Sequence, residues 1–274
     1  MRFALVCSEL DAAGINIRNR LLELEKFEER GTFDGNPYFK LKGAEAEVYT
    51  LNSEMVRREQ ICEEIKADFF IFMSKHKSSS GIPSLSVHAT GNWGVAELGG
   101  ASRRLSVANA AYLKRALQLI NSLNQNPEYD IVQECTHHGP LVEKPHFFIE
   151  IGSDEKRWQD EEAGGVIAKT VSHIIRENVP SCRAAIGIGG LHTLTNFKKI
   201  ILNSDYGISH ACPKYMLNHL DYEMLEEAFK KSVPKPEAII LDWKGLGSEK
   251  ERVSRLAEDF CYKHGLKLLR TSNF

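Results

Sequence analysis

The sequence predicts an α/β protein, a three-layer αβα arrangement built on a mainly parallel mixed sheet. Two observations carry this reading. Short apolar runs of strand length alternate with amphipathic runs of helix length along the chain, the pattern of a sheet covered by helices on both faces. Three of the apolar runs also pass directly into polar, histidine-bearing segments, as strand ends do where α/β proteins keep their chemistry. The chain has 274 residues, 42% apolar and 26% charged, enough to bury a substantial core. It reads as a single domain, 1–274, with a long loop-rich insertion around 74–104.

The elements follow in order. A strand at 2–7 precedes a helix over 13–26, where Ile17, Leu21 and Leu24 recur at helical spacing. A strand at 46–51, a short helix near 54–66 and a very apolar strand at 68–73 come next. The stretch 74–104, with its serines and glycines, reads as irregular, and such long loops are usually functional. A helix over 106–124 presents Val107, Ala110, Leu113, Leu117 and Ile120 on one face. Strands at 129–134 and 146–151 lead to a helix over 154–177, capped by Ser153 or Asp154. The remaining elements are a strand at 183–188, a helix near 195–202, strands at 206–209 and 238–242, a helix over 248–264 and a strand at 266–269.

Composition removes several classes. No run of about 18 apolar residues is present, so no membrane-spanning helix is expected. The first residues form a strand rather than a secretory signal. The six cysteines are scattered without a CxxC pair, which is neither a disulfide framework nor a zinc ribbon. A reducing, cytoplasmic location and a monomer are expected. A net charge of −2 argues against a protein devoted to gripping nucleic-acid backbone, although a local basic patch remains compatible with it.

The chemistry candidates lie at strand ends. His137 and His138, with Glu134 three residues earlier, can act as metal ligands or as a base with its orienting carboxylate. Adjacent residues on a regular strand point to opposite faces, a limit that a loop relaxes. His76 and His192 follow two other apolar strands; each of them, like His88, can equally be structural. Lys75, Ser78 and Ser79 offer contacts to phosphate or ribose, and Gly189 and Gly190 allow close approach to the backbone. Asn92 and Trp93 present either an aromatic face for stacking on a base or a lid over the core. Glu150 sits in an apolar strand and can point into the cleft. Asp242 and Lys244 can pair to orient a substrate. P-loop, GxSxG and HExxH spacings are absent.

These segments together resemble the archaeal and plant-type D-aminoacyl-tRNA deacylases. The matching stretches are Asp34-Gly35-Asn36-Pro37, Ser74-Lys75-His76, Val87 through Gly94, Glu134 through Pro140, Phe147 through Ser153, Gly187 through Gly190, Pro213-Lys214-Tyr215 and Asp242 through Gly245. They run nearly end to end. The chain departs from the family pattern at Leu191 and Thr193, on either side of His192, and at Ser209. The resemblance implies an α/β fold similar to phosphorylases, zinc carboxypeptidases and bacterial peptidyl-tRNA hydrolase. It implies hydrolysis of the ester joining a D-amino acid to the 3′ end of tRNA, and zinc dependence. The expected zinc ligands come from His76, His137, His138 and His192, the catalytic groups from Glu134, His137 and His138. Lys75, Lys214 and Lys244 are expected to contact the terminal phosphates or ribose. The competing readings are a zinc-dependent amidohydrolase or peptidase on small amides, and a nucleotide- or tRNA-binding protein without catalysis.

Overall fold

The strands that build the centre of the molecule are apolar on both sides. In the computed structural model, which describes residues Met1–Phe274, the elements in chain order are β1 (Phe3–Ser8), α1 (Ala12–Leu24), β2 (Phe27–Phe33), β3 (Asn36–Leu41), β4 (Ala46–Leu51), β5 (Phe69–Lys77) and β6 (Ser84–His88). There follow α2 (Ala110–Leu123), β7 (Asp130–Gln133), β8 (His146–Ser153), α3 (Glu161–Arg176), β9 (Arg183–Ile188), α4 (Thr195–Asn203) and β10 (Tyr206–Cys212). The chain ends with α5 (Tyr222–Lys231), β11 (Pro236–Leu241), α6 (Lys250–His264) and β12 (Lys267–Arg270).

The alternation is shared between two sheets. The larger runs in the order β7-β6-β8-β5-β1-β4-β3-β2, and the smaller, four-stranded one in the order β10-β9-β11-β12, all parallel. Phe69, Ile71 and Met73 of β5 face a core shared with α1, α2 and α3. Phe70 and Phe72 alternate to the opposite face, against Met55, Ile61 and Ile65. Such double-sided burial explains the near-continuous apolar run. In the smaller sheet Ala185 and Ile240 join the first core, while Ile186, Ile188, Ile239 and Leu241 pack on α5 and α6. No helix is long and apolar enough to cross a membrane.

Several expectations need correction. The stretch 74–104 is not structureless: β5 extends to Lys77, and β6 is a fully buried strand between β7 and β8. The helix expected over 154–177 is broken into a single turn, Glu155–Trp158, and α3, because Asp154 caps the first and Asp160 the second. The expected helix near 54–66 is two separate short turns. The β2–β3 hairpin and α5 were not anticipated. For the hairpin a signal was present: Asp34 and Gly35 both adopt positive φ, 51° and 80°, the turn that an Asp-Gly pair favours.

Strand direction matters most for the site. β8 is parallel to β5 but antiparallel to β6, and β7 runs with β6. The histidine-bearing strand ends therefore do not share one edge of a parallel sheet. They meet where strand direction reverses.

Asp11 ties the start of α1 to the end of β5. Its Oδ1 accepts from the Gly14 amide, while Oδ2 accepts from Ser74 Oγ and the Lys75 amide at 3.0 Å each. This docking demands glycine at position 14, where an added Cβ would stand 2.5 Å from the Met73 carbonyl oxygen. Gly14→Ala is expected to destabilise the protein by roughly 1–3 kcal/mol, opposite in sign to the gain of about 1 kcal/mol that helix propensity alone predicts. Thermal or denaturant unfolding of the variant measures which wins.

Candidate functional site

The segment Glu134–His138 is sewn between the two sheets. The Glu134 amide donates to Val87 O, the Cys135 amide to His192 O and the Thr136 amide to Ala211 O, at 3.0, 2.8 and 3.0 Å. This seam brings the end of β7 beside the loop after β9. His138 has φ of 42°, a left-handed conformation uncommon outside glycine. That turn lets two adjacent imidazoles reach the same cluster, their ring centroids 4.3 Å apart. Close packing fixes the next position as well: a Cβ on Gly139 would lie 2.3 Å from Val56 O and 2.4 Å from the Gly100 nitrogen.

Around the seam stand five imidazoles and two carboxylates. Glu134 is buried, its Oε2 2.8 Å from His192 Nε2 and 3.7 Å from His137 Nε2. Its Oε1 lies 3.1 Å from His76 Nδ1 but is not aligned for a hydrogen bond. Glu150 Oε2 lies 3.8 Å from His76 Nδ1 and 3.6 Å from His88 Nε2. The His88 ring is 4.3 Å from that of His137 and 4.9 Å from that of His138. Thus His76, His137, His138, His192 and Glu134 come together, and His88 and Glu150 join them. His88 was unplaceable in the sequence because its strand was read as loop. The signal for Glu150 was a carboxylate inside a run buried on both faces, which must find a partner.

Backbone carbonyls orient three of the rings. His88, His137 and His138 each place Nδ1 against a carbonyl, of Ala89, Cys135 and Gly139, at 3.1, 2.9 and 2.6 Å. Donation from Nδ1–H leaves Nε2 as a free lone pair, the form that binds metals or accepts protons. Burial pushes His88 down to about 4 and His138 to about 3, and burial with two neighbouring imidazoles holds His137 well below its usual value. Burial alone would raise Glu134, but contacts from His192 and His76 outweigh it and hold the carboxyl well below the ordinary range. Glu150 is raised well above it by burial and by the Glu134 charge. At His192 burial opposes the imidazolium, yet hydrogen bonding to Cys135 and Glu134 pushes the group up to about 10. Burial and neighbouring charge thus push the two carboxyl groups in opposite directions and favour the neutral form of three rings.

Donor atoms of His88, His137 and His138 lie within 4.8 Å of one another, as do those of His76, Glu134 and His192, and of Cys135, His137 and His192. His88 Nε2 and Glu134 Oε1 are buried without a hydrogen-bond partner. Buried polar atoms seldom stay unsatisfied. Nitrogen and carboxylate donors at this spacing suit a borderline cation such as zinc.

Two cavities flank the cluster. The first, about 400 Å³, holds His137, His138 and Glu150 with Lys75 at its rim; the second, about 790 Å³, holds Ser78, Ser79, Gly190 and Lys214. His76 and His192 line both. Gly189 is set back, its amide donating to Cys212 O at 2.8 Å.

Other sequence candidates fall outside. Trp93 is 1% exposed and its Nε1 donates to Ala211 O at 3.0 Å, so it is a core residue and not a stacking platform. Asn92 is spent on the Gly99 carbonyl. Asp242 is buried and accepts from Asn196 Nδ2 at 2.8 Å, and Lys244 is exposed and makes no ion pair with it. Their expected pairing is absent because the turn after β11 points Asp242 inward. Tyr215 and Cys135 enter instead: the tyrosine hydroxyl lies 3.1 Å from His192 Nδ1 and 3.4 Å from Cys135 Sγ.

With this geometry in view, the comparisons with known proteins agree. The family model described as D-aminoacyl-tRNA deacylase matches residues 63–265. The chain belongs to this family. It is 34% identical to the D-aminoacyl-tRNA deacylases of Pyrococcus furiosus and Thermococcus kodakarensis, in each case over 97% of this chain and 98% of the relative. A crystal structure of a conserved protein of unknown function, 30% identical, superposes with a TM-score of 0.90 over 99% of this chain and 96% of that one. The α/β fold with a mixed, mostly parallel sheet is therefore shared along the whole chain.

Trp93→Phe separates a structural tryptophan from a base-stacking one. It is expected to cost about 1–3 kcal/mol of stability through the lost indole hydrogen bond to Ala211 O, which keeps only the Thr136 amide as donor, and the space a smaller ring leaves in the core, read by thermal unfolding, and to leave the KM for substrate unchanged.

Proposed function

We propose that the protein hydrolyses the ester of D-aminoacyl-tRNA, releasing the free D-amino acid and tRNA. The observation that carries this is the gathering of five imidazoles and a buried carboxylate at the junction of two cavities, in a chain of the deacylase family. An aminoacyl ester needs modest help: a positioned water, a base and charge stabilisation at the carbonyl oxygen. His137 and His138 turn Nδ1 to backbone carbonyls and present Nε2 as acceptor, so whichever ring does not hold a metal can take the proton of the attacking water. The water oxygen bonds to the carbonyl carbon, the ester C–O bond breaks, and the ribose oxygen leaves with a proton. Glu134 fixes the direction of His192 and the Cys135 carbonyl that of His137, and Lys214, in the wall of the second cavity, can meet the substrate's polar groups.

Zinc fits this donor set, held by members of the His88/His137/His138 and His76/Glu134/His192 groups. When bound, it supplies a Lewis acid for the carbonyl and lowers the pKa of nearby water. Glu134 and Cys135 favour a proton on His192; a cation at that nitrogen takes the proton's place, so binding is expected to weaken as pH falls.

The family assignment does not favour an amidohydrolase of small amides or a binding protein without turnover. The test is release of D-tyrosine from D-tyrosyl-tRNA, with the L-ester left largely intact. His137→Ala is expected to lower the rate by about 10²–10⁴-fold, and a chelator should abolish turnover that zinc then restores. Faster cleavage of N-acyl amino acids, or tRNA binding without release, would overturn the reading.

A further inference from the structure

The ester of the proposed substrate joins two unlike limbs, and the cluster stands between two unlike cavities. We propose that the second cavity is the seat of the terminal nucleoside of the aminoacyl-tRNA, and that the first receives the amino acid. This rests on the deacylase reading above. Only His76, Lys77 and His192 line both spaces, so an ester placed against the shared histidines sends one limb into each.

Charge sorts the limbs. The first cavity carries the carboxylates of Asp11 and Glu54 beside Lys75, whose ammonium donates to the Leu10 carbonyl at 3.0 Å, and the shared Lys77; the carboxyl of Glu150, raised well above its usual range, adds little charge. Relative to the second cavity, the first offers more carboxylate for an α-ammonium and less net positive charge for a phosphate. Leu10, Met55, Val56 and Leu98 supply apolar wall for a side chain. The second cavity adds Lys214 to the shared Lys77 against the single carboxylate of Asp130. Hydroxyls of Ser78, Ser79, Ser80 and Thr193 line it too, the donors and acceptors that ribose and phosphate oxygens need.

The second cavity also exposes apolar groups that a soluble surface usually hides. Leu191 is 69% exposed, Ile82 56% and Tyr215 53%, and all three line it. Aliphatic and aromatic surface beside lysines and hydroxyls matches a base attached to a ribose phosphate. The Tyr215 hydroxyl is held by His192 Nδ1 and Cys135 Sγ, so the ring is fixed before a base arrives. The stacking role that Trp93 cannot fill thus falls to Tyr215 with Leu191.

Binding of adenosine 5′-monophosphate and of the trinucleotide CCA to the zinc-loaded protein tests this by calorimetry. Lys214→Ala and Leu191→Asp are each expected to weaken both ligands by about tenfold or more, and to lower the preference for D-tyrosyl-tRNA over D-tyrosine methyl ester by a similar factor. Val56→Trp, which fills the first cavity, should leave nucleotide affinity within about twofold of the parent while slowing both esters. Failure of the unmodified protein to bind either nucleotide overturns the assignment, as does nucleotide binding blocked by Val56→Trp and untouched by Lys214→Ala. Nucleotide binding with hydrolysis of neither ester would instead sink the deacylase reading and leave the cavity assignment standing.

Discussion

Glu134 is the interaction on which the site depends. A carboxylate 1% exposed is expensive to desolvate unless groups around it repay the cost. Here the repayment comes from His76 at the end of β5 and His192 beyond β9. These residues are far apart in the chain, so the one buried charge couples both sheets. Removing it would leave imidazoles facing one another without a counter-charge. The same charge, with burial, raises the carboxyl of Glu150, setting two carboxyl groups apart, as sites that handle protons commonly do.

That charge can be buried only because the backbone around it is fully bonded. The Glu134–Thr136 amides are satisfied by β6, by the loop after β9 and by β10, leaving this segment little freedom to open. His138 then departs from extended geometry, and its neighbours Gly99, Gly100 and Gly139 pack too closely for side chains. Backbone strain confined to a ligand-rich turn is usual where function over-determines conformation.

Much of the fold was readable because double-sided burial writes itself as continuous apolar runs. Strands β1, β4, β5, β8 and β9 were placed within a few residues for that reason. β6 was missed: Ser-Leu-Ser-Val-His is short and half polar, and its serines are buried against other strands rather than facing water. β2 and β3 were missed because β2 is an exposed edge strand and β3 beside it is only partly buried, which imposes no strict alternation. The division of 154–177 into two helices depended on a pair of aspartate caps, of which only the first was read.

The sequence by itself determined the α/β class, the absence of a membrane-spanning helix, and the set of histidines from which a site could be built. Side-chain chemistry and periodicity are local properties, so a linear reading reaches them. Only the tertiary structure decided that β6 and β7 run against β8, that His88 and Glu150 belong to the cluster, and that Trp93 and Asp242 turn inward. Each of these depends on which strand lies beside which, and that is fixed by packing and hydrogen bonding between residues distant in the chain.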